Sequence, residues 1–161
     1  MNLDITYSPA QDRLLLSVRN NQHRADWWIS RRMLLAWVHA WLLKLQDVDL
    51  PSIHGVHLQR DLGTEHRLSL EFDGPTPAKP TGPSHPLTPS KEHLLQELTL
   101  TVQPTDCTVI LKTEGLQQSF ELTRKESHAV LEMLAAKARV AGWLEGPNWP
   151  GWLGSQSNAD R

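Results

Sequence analysis

What most constrains this chain is an order of events that occurs twice. An apolar run, a Pro-containing turn, a second apolar run, a polar loop and a short third run lead to a hydroxyl residue, a basic pair and a helix-like stretch. Leu3-Asp-Ile-Thr, Pro9 and Leu14-Leu-Leu recur at constant spacing as Leu98-Thr-Leu-Thr, Pro104 and Val109-Ile-Leu. Trp27-Trp-Ile-Ser-Arg-Arg then recurs, after a slightly shorter loop, as Phe120-Glu-Leu-Thr-Arg-Lys. A duplicated unit of this kind packs about a pseudo-twofold axis. The expected fold is therefore α+β, built from two related β-β-β-α units.

The local patterns carry the same reading. Leu3, Ile5 and Tyr7 alternate on one face, and Leu14, Leu16 and Val18 do the same beyond the turn at 8–12, which is the period of a half-buried hairpin. A third strand near 25–29 ends at Ile29, and Ser30 is placed to cap a helix. On a 3.6-residue period, Leu34, Trp37, Val38, Trp41 and Leu45 form one core stripe. The second unit predicts strands over 97–103, 107–113 and 117–122, a cap at Thr123 and a helix to about residue 142. Its core stripe is Ser127, Val130, Leu131, Leu134 and Ala138, with Lys125, Glu132 and Arg139 facing outward.

Between the units, 55–60 and 66–73 read as an extra β-hairpin about the turn Asp61-Leu-Gly-Thr, because Leu68, Leu70 and Phe72 alternate. Residues 74–92 hold six Pro with Gly, Ser and Thr and almost no apolar anchor, the composition of a tether. The chain divides accordingly into a first sheet-plus-helix half with its extra hairpin (1–73), a Pro-rich tether (74–93), a second half (94–143) and a Trp/Pro/Gly-rich tail (144–161).

A chain of 161 residues can bury enough apolar surface to fold without staples. The single Cys107 cannot form an internal disulfide and fits a reducing compartment. Met1-Asn-Leu-Asp lacks the basic start of a signal peptide, and the apolar run 33–43 is far shorter than a membrane span, so the expected location is cytoplasmic with no membrane contact. A net charge of −2 disfavours electrostatic capture of nucleic acid.

Chemistry is weakly signalled. Of eight His, only His54-Gly-Val-His57 form a close pair, and in a strand their side chains diverge. No phosphate loop, nucleophile elbow or Cys-x-x-Cys is present, so the reading is non-enzymatic, with no cofactor and no metal. The basic pairs Arg31-Arg32 and Arg124-Lys125 sit in equivalent first turns, where cations oppose the helix dipole, and are the candidates for an anion or nucleic acid.

The positive signal is spare apolar surface. Met33, Ala36, Ala40 and Leu43 occupy the back of the first helix, where a solvated helix carries charges, and Trp149 and Trp152 lie in a tail that is too rich in Pro and Gly to be regular. These six residues are the candidate contacts for another protein or for a second copy of the chain. The expected function is a protein-binding adaptor, assembly or regulatory subunit. Single-strand nucleic-acid binding is the second class: in architecture alone, a run of strands followed by a helix and then repeated is similar to the repeats of the PUR and Whirly single-strand binders. An enzyme with an unrecognised site is the third.

Overall fold

The computed structural model describes residues 1–19, 23–48, 61–71, 91–144 and 149–154. Over these residues the protein is α+β, with three helices and two sheets. β1 (Asn2–Ser8), β2 (Arg13–Arg19) and β3 (Arg24–Ser30) form an antiparallel meander, followed by α1 (Arg31–Asp47) and α2 (Leu62–Glu71). Next come the short β4 (Glu92–Leu94), a second antiparallel meander of β5 (Glu97–Val102), β6 (Asp106–Thr113) and β7 (Leu116–Thr123), and finally α3 (Arg124–Val140).

β4 pairs parallel to the free edge of β3, giving a four-stranded sheet in the order β1-β2-β3-β4 beside the three-stranded β5-β6-β7. The chain changes sheets within two residues. Leu95 N–H donates to Trp28 in the first sheet (2.9 Å) and Gln96 N–H donates to Lys112 in the second (3.1 Å). A Trp27 Nε1–H bond to Gln118 Oε1 (2.6 Å) links β3 to β7. Each 17-residue helix then rests on the first strand of the other meander, α1 on β5 and α3 on β1.

Local signals set the helix ends. Ser30 Oγ accepts from Met33 N–H (3.3 Å) to start α1. Thr123 and Glu126 close a capping box at α3: Thr123 Oγ1 accepts from Glu126 N–H (3.1 Å), and Glu126 Oε2 accepts from Thr123 N–H (2.7 Å). Gly142 (φ 70°) ends α3, with Gly142 N–H bonded to Arg139 O and Trp143 N–H to Ala138 O, both at 2.9 Å.

Leu34, Trp37, Val38, Trp41 and Leu45 of α1 are all buried, as their spacing predicts. They join strand residues of both sheets, Val130, Leu131, Leu134 and Ala138 of α3, Trp143, and Leu153 of the tail in one core. Cys107, the second residue of β6, is fully buried.

The extra hairpin is not what forms after α1. Its second strand, expected over 66–73, is helical as far as Glu71, while 55–60 and Phe72 lie outside the described residues. The expected turn is the helix start, where Asp61 Oδ2 accepts from Thr64 N–H (3.2 Å) and Asp61 O accepts from Glu65 N–H (3.0 Å). The alternation of Leu68 and Leu70 misleads because the face of α2 that is buried is polar, namely Glu65 and His66. The tether's last residues, 92 and 93, lie in β4, and the rest of the Pro-rich stretch up to residue 90 falls outside the described residues.

Candidate functional site

Two features stand out as candidates: the outward row of α1, and a buried polar chain between α2, α3 and the tail. On α1, Leu43 is 48% exposed and Ala36 is exposed, while Met33 and Ala40 are half-buried. Met33 also touches the margin of the core, so the row grades from packed to open. Its flanks are cationic, with Arg31, Arg32 and Lys44 all exposed. Trp149 and Trp152 are half-buried and pack against the core around fully buried Leu153. Trp152 lies over His66 with ring centroids 4.8 Å apart, and Gly63 makes room for it, since a Cβ there would stand 2.9 Å from Trp152 Cδ1.

The two basic pairs part company. Arg31 and Arg32 are on the surface, whereas Arg124 is only 6% exposed. Lys125 is half-buried. The Arg124 guanidinium grips Glu65 through Nε (2.6 Å to Oε1) and Nη2 (3.3 Å to Oε2). The same group donates to the carbonyls of Leu45 (2.8 Å) and Val48 (2.7 Å), which closes the C-terminal end of α1. A fork of five donors suits this double duty.

From Glu65 the chain continues through two imidazoles. His128 Nε2 lies 2.9 Å from Glu65 Oε1, His128 Nδ1 lies 3.1 Å from His66 Nδ1, and His66 Nε2 lies 3.0 Å from Glu132 Oε2. Gly154 N–H donates to that same Glu132 oxygen (2.7 Å), and Arg139 Nη2 donates to Leu153 O (2.8 Å). Both imidazoles are shut off from solvent. Burial pushes the Glu65 carboxyl up, but the bonds and charges of His128 and Arg124 more than reverse this and hold it at about 2.

Sequence reasoning does not reveal this chain. His66 falls in the stretch that reads as a strand, and Glu132 and Arg139 read as part of a solvated face. Arg139 is exposed as expected, whereas α2 and the tail cover Glu132. The available signal is Glu65-His66 set against His128 and Glu132, whose i,i+4 spacing puts both on one side of α3.

Other chemistry is not assembled. Among the described residues, no three His, Cys, Asp or Glu are arranged to hold a metal ion, and His54 and His57 lie outside those residues. Burial pushes the Cys107 thiol up, with Ser127 and Trp41 beside it only partly opposing the effect, so the reactive thiolate is disfavoured. No described helix is long and apolar enough to cross a membrane. Comparison with protein-family models, with curated proteins and with solved structures finds no match to this chain.

Proposed function

We propose that this chain is a non-enzymatic protein-binding subunit, an adaptor, assembly or regulatory component acting in the cytoplasm, and that its contact surface is the outward row of α1. The observation that carries this reading is Leu43, nearly half exposed beside exposed Ala36 on a helix whose opposite side is completely packed. An uncharged apolar row on a solvated helix is costly to maintain unless something covers it. The cations flanking the row favour a partner with an apolar centre and acidic margins over a second copy, which would bring like charges together. Trp149 and Trp152 hold the tail to the body, and in this reading they support the surface more than they form it. We further propose that the two meander-plus-helix halves arose by duplication about a pseudo-twofold axis. The reciprocal seating of α1 on β5 and α3 on β1 supports this.

The test places a photo-crosslinking residue at Leu43 and, as a control, at exposed Ser119 of β7. One defined adduct from position 43, lost on Ala36→Glu in a chain that still folds, is the expected result. Equal labelling from both positions would refute the reading. Light scattering of wild type and Leu43→Glu decides the occupant, because a dimer split by the substitution would put a second copy on the face. If Leu43→Glu unfolds the isolated chain, the row belongs to the core.

A further inference from the structure

The chain from Glu65 to Glu132 contains three contacts of hydrogen-bond length, and each needs one proton. Two carboxylates and two neutral imidazoles supply only two. The positions of those two are fixed by the groups around them. Glu65 Oε1 already accepts from Arg124 Nε–H, and Glu132 Oε2 already accepts from Gly154 N–H, so both oxygens act as acceptors. The donors facing them must be His128 Nε2–H and His66 Nε2–H. With neutral rings, both Nδ1 atoms would then be bare, and two lone pairs would meet at 3.1 Å in a site closed to water. Such an unmade contact in the interior is strongly unfavourable.

We propose that His66 and His128 share a single additional proton between their Nδ1 atoms, and that this proton latches α2 and the 149–154 segment onto α3. The charges then balance: the shared cation and Arg124 face the carboxylates of Glu65 and Glu132. The Trp152 ring over His66 adds a face suited to a cation. Every element packed here contributes. α2 brings Glu65 and His66, α3 brings Arg124, His128, Glu132 and Arg139, the tail brings Trp152 and the Gly154 amide, and the α1 end brings the Leu45 and Val48 carbonyls. Losing the proton sets Nδ1 against Nδ1 and loosens His66 from His128, and with it the hold of α2 and the tail. The device is thus closed while the pair holds the proton and opens when rising pH removes it.

Two measurements on the full chain test this. In imidazole ¹⁵N spectra at about pH 8, where free histidines are neutral, both Nε2 atoms should carry hydrogen and one further proton should be shared across the Nδ1 pair. Two protons in total, with one Nε2 bare, would overturn the proposal. The second compares urea unfolding of wild type and His66→Gln. The amide that this substitution introduces can donate to His128 Nδ1, so the variant needs no extra proton there. Above about pH 7, the folding constant of wild type relative to the variant should fall about tenfold per pH unit. Parallel slopes would overturn the proposal, and so would a wild-type stability that drops on adding a chelator, because a bridging metal would then hold the rings. If His66→Gln does not fold, the ¹⁵N count on wild type decides alone.

Discussion

Arg124→Met tests whether the buried guanidinium organises this part of the fold. Methionine keeps the apolar stem and removes four hydrogen bonds: two to Glu65, and one each to the Leu45 and Val48 carbonyls. Glu65 would be left as a buried carboxylate without the guanidinium that grips both its oxygens. Breaking a buried pair from one side costs about 3–5 kcal/mol, a large part of a typical total stability of about 5–15 kcal/mol. The double variant Arg124→Met with Glu65→Gln should recover part of this loss, since the stranded charge is gone and the new amide oxygen can still accept from His128 Nε2. A coupling of about 2 kcal/mol is expected, within the range seen for contacting groups. Recovery should stay incomplete, because the orphaned carbonyls at the end of α1 cost about 1–3 kcal/mol whatever stands at position 65. Urea unfolding followed by circular dichroism at neutral pH supplies all four corners of the cycle. Single costs that add to within about 0.5 kcal/mol would refute the pairing, and a single cost below about 1 kcal/mol would refute the burial argument.

Glu65 also sets an acid limit. Its carboxyl is lowered from 4.5 to about 2, so its stabilisation is complete above pH 4.5 and is lost as pH falls toward 2. The advantage of wild type over Glu65→Gln should shrink by about 3 kcal/mol across that window in acid unfolding curves, and a constant difference would contradict it. Gly154→Ala forces a side chain into a φ of 73° and to within 2.9 Å of Arg139 Nε and 3.0 Å of Ala135 Cβ. It should cost about 2 kcal/mol in thermal melts, against about 1 kcal/mol for Gly115→Ala, whose φ is 77° in open space. Thr123→Ala removes the hydroxyl side of the capping box and should cost about 1 kcal/mol by the same assay.

Where the core is apolar, the sequence is readable. All five α1 stripe residues are buried, and so are Ser127, Val130, Leu131, Leu134 and Ala138 of α3, because a 3.6-residue apolar period has few alternative placements. The six meander strands follow from period-two alternation within a residue or two at each end. β4 escapes such reading because three residues, Glu92 to Leu94, are too few to show a period and owe their form to pairing with β3. α2 misleads for a different reason. Its buried residues are charged or titratable, and hydropathy scores such a face as solvated. A buried polar network is invisible to apolar patterning until its partners, here almost 60 residues apart in the chain, are brought together.

That asymmetry accounts for why, among the described residues, α1 and not α3 carries the open Ala36–Leu43 row. On the proposed duplication, Arg124, His128, Glu132 and Arg139 of α3 take the places that Arg31, Leu35, His39 and Gln46 take on α1. Arg124 and His128 are buried and Glu132 half-buried, which requires partners that α2 and the tail provide, while exposed Arg139 bonds the tail at Leu153. On α1, leucine stands at position 35 where α3 has His128, and Arg31, His39 and Gln46 are solvated instead of covered. Its exposed side includes Ala36 and Leu43 among solvated polar residues. The prediction that separates this from simple divergence is a double substitution. Replacing Glu132 and His128 together with Leu should free the tail while sparing the core, since both side chains face α2 and neither belongs to the apolar cluster. Protease cleavage within 149–154 should then rise well above the wild-type rate while the circular dichroism of the sheets is retained. Unchanged cleavage would mean that Leu153 and the Trp side chains alone hold the tail.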